Sequence, residues 1–550
     1  MGDSRAASNL DYSRTFMFAD NVTLTKGKHT LLFGADIRKV AGNATTNNTP
    51  FGQQSFTGDE TGYAPADFIL GVPRTSITPE GVPITAARQW RTAEYFQDNF
   101  RLNDKLTLNL GVRYEIYAPP VDTNNVSRTL DFSQTPPVLT PAPGLRLNNI
   151  WAITHKDIAP RVGFAYSATP TTVIRGGYGI TYYGGQFDNI NILQLNPPTA
   201  GSLTITNPNT GPTAPPVATI QTPVPAALYP ANPFFNVVTM PADRRRPDAM
   251  VQTWNATIEQ QFGRLVLDTS YVGTKGSDLD TSIQYYNSPS PGPGTIQTRR
   301  PYPTFARIRA LDFTGASNYN ALQEHLEWRV NAQSNITASY VWSHMFDNQG
   351  FSTNAGGCTC ADVRNPHEWA PGANDQRHNL VLAYVYRLPD FTQSKLMGYG
   401  VNGWTLNGLI SLASGSPVNV TQSTDSQNID NPWQRPSLVQ GVSPYVANKS
   451  AINGWYNRNA FALSGFAFGT TPRNYLIGTG VKTVNVSVMK NFAMPYAETH
   501  NLQVRFEAFN ALNTPQFSNP GASFGASSFG QISSTKINNR ELQLAVKYLF

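Results

Sequence analysis

The last ten residues, Glu541-Leu-Gln-Leu-Ala-Val-Lys-Tyr-Leu-Phe550, constrain the fold more than any other stretch. Leu542, Leu544, Val546, Tyr548 and Phe550 alternate with Glu541, Gln543, Ala545 and Lys547. A period of two predicts a strand with one apolar and one mostly polar face, here ending on an aromatic residue. A closing strand that meets lipid on one side and water on the other is what a membrane-spanning β-barrel requires. A soluble sandwich can end the same way, so the rest of the chain has to repeat the pattern.

It does. In Lys105–Tyr117, Leu106, Leu108, Leu110, Val112, Tyr114 and Ile116 share one face, and Lys105, Thr107, Asn109, Arg113 and Glu115 share the other. Ile336, Ala338, Tyr340 and Trp342 alternate with Asn335, Thr337 and Ser339. Leu380, Leu382, Tyr384 and Tyr386 repeat the pattern, as do Leu502, Val504, Phe506 and Ala508 against Asn501, Gln503, Arg505 and Glu507. The expectation is that charges stay on the polar face. A Lys or Arg on a lipid-facing position costs about 2–4 kcal/mol at mid-bilayer.

Charged residues make up only 14% of the 550-residue chain, against a usual quarter, while aromatic residues reach 11%. No run approaches the roughly 18 apolar residues of a membrane helix. The net charge of +6 is scattered, which argues against nucleic acid as a partner. The compact run Arg244-Arg245-Arg246 reads as a solvated loop or as a phosphate or lipopolysaccharide contact. The only cysteines, Cys358 and Cys360, lack the second pair of a zinc site. They read as loop residues, as free thiols or as a short-loop disulfide.

Short turns at Lys26-Gly27, Asn103-Asp104, Ala168–Thr171, Phe262-Gly263 and Asn331–Ser334 alternate with long polar segments near 43–88, 119–157, 184–248, 279–317, 349–373 and 421–478. In outer-membrane barrels the short turns are periplasmic and the long loops extracellular. Thr304–Phe313 breaks the alternation if it spans, so it is expected in an extracellular loop. The resulting fold class is all-β, a transmembrane antiparallel β-barrel of outer-membrane type with about 15 spanning strands. An odd count, and a start near Tyr12 with no apolar signal segment before it, lead to the expectation that this is the C-terminal part of a longer protein.

Several segments resemble the barrel of TonB-dependent outer-membrane receptors of the Oar-like group. They are Glu94–Glu115, Ile158-Ala-Pro-Arg-Val-Gly-Phe-Ala165, Val173-Ile-Arg-Gly-Gly-Tyr-Gly-Ile180 and Ser270-Tyr-Val-Gly-Thr-Lys-Gly276. The others are Asn318-Tyr-Asn-Ala-Leu-Gln323, Asp375-Gln-Arg-His-Asn-Leu380, Asn402-Gly-Trp404 and Arg505–Pro515. The resemblance covers nearly the whole chain. It implies an incomplete barrel, about 15 of about 22 strands, with uptake of a scarce small or oligomeric ligand, a plug in the lumen and energy supplied through TonB. The TonB-binding motif, the plug and an N-terminal carboxypeptidase-regulatory-like domain have no counterpart in residues 1–550. By the same likeness Leu542, Leu544, Val546, Tyr548 and Phe550 form the signal read by the barrel-assembly machinery.

No catalytic residue, cofactor or metal site is expected. Gly521-Ala-Ser-Phe-Gly525 matches a hydrolase elbow, but it lies in a Gly/Ser-rich loop before the final strand. The seven His residues are dispersed. His367-Glu368 reads as a solvated loop pair or a ligand contact. Tyr182, Tyr183, Trp254, Trp328, Trp342 and Trp404 are expected near strand ends, as an interfacial girdle or a stacking surface. Arg113, Glu115, Arg175, Arg505 and Glu507 are expected to line the lumen. The reading is a receptor or transporter barrel among outer-membrane lipid and lipopolysaccharide. The alternatives are a non-energised adhesion or structural barrel and a plugless diffusion pore.

Overall fold

The computed structural model describes residues 10–45, 52–79, 84–132, 134–140, 153–184, 193–196, 202–207, 216–223, 237–239, 248–283, 286–348, 368–431, 433–450, 452–494 and 499–550. Cys358, Cys360, Arg244–Arg246 and His367 lie outside the described residues.

Alternating sequence becomes one eighteen-stranded sheet in which three members are two- or three-residue strips. The fifteen long strands are β1 (Leu10–Lys26), β2 (His29–Thr45), β3 (Ile84–Arg101), β4 (Leu106–Tyr117), β5 (Ile158–Thr169), β6 (Thr172–Tyr183), β7 (Ala249–Phe262), β8 (Leu265–Ile283), β9 (Ile308–Asn331), β10 (Ser334–Asp347), β11 (His378–Arg387), β12 (Trp404–Ala413), β13 (Val481–Ala493), β14 (Asn501–Phe509) and β15 (Glu541–Leu549). Each pairs antiparallel with the next. Among the described residues β1 and β15 are not paired with each other, so the barrel is not closed.

The tight hairpins all lie at one end. Gly27 and Gly263 take φ of +61° and +60° there, a left-handed conformation that favours glycine in two-residue turns. A longer connection at the same end, between β11 and β12, carries a short helix at Lys395–Val401.

The segment from Thr304 to Phe313 is not wholly loop. Ile308 to Phe313 extends β9 into a 24-residue strand. The cause is a long partner, the 19-residue β8, whose bulges around Leu279 keep pairing with it. Likewise β2 runs to Thr45 and β3 starts at Ile84, inside the segment expected as loop.

Side chains divide by face. Phe18, Val22, Phe33, Ile37, Phe96, Leu110 and Val112 are exposed on one face of β1–β4. At the other end of the sheet Phe506, Leu542, Leu544, Val546 and Tyr548 continue this apolar face, and Phe550 follows the strand, also exposed. Large rings on it cover glycines on the next strand. A Cβ on Gly273 would lie 2.1 Å from the Trp254 ring, and one on Gly408 would lie 2.4 Å from Tyr384. Covering a strand glycine with a ring restores packing that the glycine lacks.

The apolar face is not free of charge, contrary to expectation. Arg14, Lys39 and Arg88 lie on it towards one edge and Lys490 towards the other, and the carboxylates of Asp20, Glu94, Asp98 and Glu324 lie on it as well. Each carboxylate has a local compensation or a small neighbour. Asp98 pairs with His29 at 2.8 Å, Glu324 accepts from Thr269 Oγ1 at 2.8 Å, and Ala35 separates Asp20 from Glu94. Carboxylates cost less than Lys or Arg on such a face. Tyr183 also departs from expectation: it lies on the polar face while Tyr182 lies on the apolar one. Trp254 and Trp342 sit inside their strands, unlike Trp328 and Trp404, which lie near the short-turn end.

Candidate ligand-capture cap and inner wall

Two sets of side chains stand out from the strand pattern. The first is the polar face. There Asp36 takes Arg113 Nη2 at 2.7 Å and Arg38 Nε at 2.8 Å, and Arg113 Nε reaches Glu115 Oε1 at 2.8 Å. The Arg113 guanidinium also lies 5.7 Å from the centre of the Tyr95 ring. These contacts follow from register, since Gly34, Tyr95 and Arg113 fall in one row and Asp36, Ala93 and Glu115 in the next. The small Ala93 lets Arg113 reach across β3. Arg175 pairs with Glu259, and Arg505 Nη1 lies 3.5 Å from Glu507 Oε1. Arg113, Glu115, Arg175, Arg505 and Glu507 thus all sit on the face opposite the apolar one. The structure does not bring them to one place: they form three separate pairs or clusters around the wall.

Between these, a groove of about 380 Å³ crosses the polar face from β10 to β14. Its lining includes Asn335, Thr337, Asn407, Asn485, Ser487 and Glu507. Ala383, Val385, Leu409 and Phe509 line it as well, so the groove joins apolar wall with amides, hydroxyls and a single carboxylate.

The second set is a cap built from the long connections after β8, β10, β12 and β14. Val418, Val420, Tyr456, Ala460, Phe461, Leu476 and Phe529 form one buried cluster. Burying these side chains stabilises the cap by roughly 1.5–3 kcal/mol for each large one. Two fully buried arginines cross-link it. Arg435 Nη2 donates to Glu368 Oε1 at 2.8 Å and Nε to the Thr471 carbonyl at 2.9 Å. Arg473 Nε donates to the Glu368 carbonyl at 3.1 Å and Nη2 to the Asp347 carbonyl at 2.6 Å, and it pairs with the Asp347 carboxylate. Glu368 is therefore a buried cross-link, not a solvated loop residue; two guanidiniums desolvate it. Asp430 holds Arg300 at 2.7 Å and Arg307 at 2.6 Å. Burial alone would raise the Asp430 carboxyl, but the two guanidiniums outweigh it and hold it below the usual range.

At the rim Asp157 and Asp248 precede β5 and β7 and are both buried. The Asp157 carbonyl accepts from Glu115 N at 3.0 Å, which fixes the segment beside β4. Burial first, then the hydrogen bond to Asp157 and the charges of Asp157, Asp280 and Glu115, push Asp248 up to about 9. Burial raises Asp157 as well. Burial and the nearby like charge favour one proton held between the two carboxyls.

A hydrolase site is not assembled. Ser523–Phe524 pairs with Thr421–Gln422, and a Cβ on Gly521 would lie 2.3 Å from the Ser528 carbonyl. The glycines serve close packing of the cap. Among the described residues no group of His, Cys, Asp and Glu is placed to hold a metal ion.

A family described as outer membrane beta barrel domain matches residues 1–543. The chain belongs to this family. It is an outer-membrane β-barrel, and its apolar face is the membrane face. No curated protein matches it. Solved structures resemble it at low identity. The outer membrane transporter YddB from Escherichia coli is 11% identical with a TM-score of 0.48, over 98% of this chain and 54% of that one. The siderophore receptor PiuA from Acinetobacter baumannii is 12% identical with a TM-score of 0.45, over 99% and 57%. The ferripyoverdine receptor of Pseudomonas aeruginosa is 11% identical with a TM-score of 0.47, over 98% and 48%. The chain spans about half the length of these solved relatives.

Sequence reading missed the cap arginines Arg300, Arg307, Arg435 and Arg473 and the connection at 510–540. The available signal was weak: Arg300-Pro301, Arg435-Pro436 and Pro472-Arg473 place cations beside prolines in long loops.

Proposed function

We propose that this barrel is the transport channel of a TonB-dependent, Oar-like outer-membrane receptor. The long connections face outside and capture a scarce ligand. The ligand then passes along the polar wall, where Arg113, Glu115, Arg175, Arg505 and Glu507 line the lumen or meet a plug. The protein performs no reaction chemistry on it. The final strand, with Leu542, Leu544, Val546, Tyr548 and Phe550 on its membrane side, is the element read by the assembly machinery.

The observation that supports this reading is the inner-wall groove, where Asn335, Asn407, Asn485 and Glu507 stand beside Ala383, Val385 and Leu409, beneath a cap held by buried Arg435 and Arg473. A hollow that offers both apolar wall and a few hydrogen-bonding groups suits a ligand of mixed character. The test uses native protein extracted from outer membranes, placed in planar bilayers and separately passed over the immobilised periplasmic domain of TonB. The reading expects retention on TonB and no steady conductance. A steady conductance without retention would establish a diffusion pore, and neither signal would leave an adhesion or structural barrel.

A further inference from the structure

Three cations sit on the membrane face where the wall meets the long connections. Arg14 of β1 pairs in register with Ala41 of β2, which pairs with Arg88 of β3. In the next row Phe16, Lys39 and Trp90 are neighbours. All share parity with the exposed Phe18, Ile37 and Phe96, so all point outward.

Their height is set by the strand. A strand rising about 3.3 Å per residue and tilted by about 40° climbs about 2.5 Å per residue. Twelve residues separate Lys39, and thirteen Arg14, from the hairpin at Gly27, a climb of about 30–33 Å, and the apolar band is about 25 Å tall. The cations therefore lie at the outer edge of the hydrocarbon, where a positive charge costs little.

None is neutralised. Among the described residues Arg14, Lys39 and Arg88 have no carboxylate partner. Arg88 Nη1 donates to the Asn43 side chain at 2.9 Å and to the Gly42 and Ala87 carbonyls at 3.2 and 2.8 Å, which orients its guanidinium without cancelling its charge. Arg14 donates to the Tyr12 hydroxyl, and its guanidinium lies 5.3 and 5.7 Å from the Tyr12 and Phe16 ring centres. Lys39 Nζ lies 5.4 Å from the Trp90 ring centre. Together they border a hollow of about 310 Å³. The carboxylates on this face, Asp20 and Glu94, are six residues from Arg14 and Arg88, about 20 Å along their strands.

We propose that Arg14, Lys39 and Arg88 form a binding site for the phosphorylated headgroup of an outer-leaflet lipid, with Tyr12, Phe16 and Trp90 packing on its sugar and acyl parts. Cations against a fork of phosphate oxygens supply charge-assisted hydrogen bonds. Rings at the interface suit a ligand that is apolar below and polar above. The inference rests on the long connections facing outside, and it stands apart from what the channel transports.

The test uses the native full-length protein in detergent, mixed with bis-phosphorylated lipid A or its dephosphorylated form and read by native mass spectrometry. Wild type is expected to retain the phosphorylated lipid and release the dephosphorylated one. Each cation contributes about fivefold, so R14Q/K39Q/R88Q weakens retention by about a hundredfold. R101Q, at the short-turn end, leaves it unchanged. K39Q alone, expected to weaken retention about fivefold, serves where the triple variant does not assemble. Equal retention by wild type and the glutamine variants, or of both lipid forms, would overturn the proposal. Loss on R101Q would do so too, since it would show general charge attraction and no local site.

Discussion

Along β12–β15 the wall and the cap above it are joined in sequence yet held by different interactions. The wall is a hydrogen-bonded ladder with little side-chain core; its membrane residues Leu542, Leu544 and Val546 are 61–71% exposed. The cap is packed like a small soluble domain, with Val420, Ala460 and Leu476 fully buried around Phe461 and Phe529. The wall also changes along its length. The strands β1–β3 are 17, 17 and 18 residues long, whereas β14 and β15 have nine each. Where strands are long, the ladder itself rises above the bilayer edge. Where they are short, packed connections take its place. A substitution in the wall should therefore be judged by the face it occupies, and one in the cap by the cavity or orphaned charge it leaves.

The largest expected effect is in the cap. Arg473→Ala strips Glu368 and Asp347 of a buried partner and costs about 3–5 kcal/mol locally. Limited proteolysis of the purified protein should then cut within 414–480, while heat-modifiable migration of the barrel in detergent gels persists. If the barrel itself fails to assemble, wall and cap are one cooperative unit and the comparison breaks.

Next comes the wall. Leu110→Arg places a cation about halfway up the membrane face and costs about 2–4 kcal/mol. Asn109→Arg, on the polar face, is expected to be tolerated. Outer-membrane levels of the two variants decide the matter; equal levels would overturn the face assignment.

These two cases also show what the sequence made legible. Leu106–Ile116 reads as a two-faced strand because the pleat alone sets which way each residue points, and alternation is a local signal. The order and number of long strands follow from it. The cap has no such period. Arg473 meets Asp347 across 126 residues and Arg435 meets Glu368 across 67, so their pairing is fixed only by three-dimensional closure. Motif-like stretches gain their meaning in the same way. Asn510, in Phe509-Asn-Ala-Leu-Asn-Thr-Pro515, takes φ of +47° and its side chain bonds Thr514 N and O at 3.1 Å each, closing the turn above β14. Asp375 accepts from Met345 N at 2.7 Å and His344 Nδ1 at 3.0 Å, holding the approach to β11. The outward Asp20 and Glu94 were also hidden, because a face is assigned from its apolar majority.

A smaller effect tests ring-on-glycine packing. Gly273→Ala drives a methyl into the Trp254 ring and should cost about 1–3 kcal/mol. The unfolding temperature of the heat-modifiable form should drop, and adding Trp254→Leu should recover part of the loss. No drop would mean that the ring moves aside freely and the wall is less locked than the cap.

The last test probes the junction of wall and cap. Asp248 holds its proton to about pH 9 in the folded protein, whereas an unfolded Asp releases it near 3.9. The folded state thus binds more protons across that window, and its stability falls as pH rises through it. Burial first, then the hydrogen bond to Asp157 and the charges of Asp157, Asp280 and Glu115, make ionisation costly there. Amide hydrogen exchange in the rim residues before β5 and β7 should therefore quicken, beyond its intrinsic base catalysis, between pH 5 and 9. Asp248→Asn keeps a neutral hydrogen-bonding partner for Asp157 and should flatten that rise without disturbing the cap cluster around Phe461. If wild type and Asp248→Asn quicken alike, the two carboxyls do not share a proton. The junction would then belong with the pH-insensitive ladder of the wall.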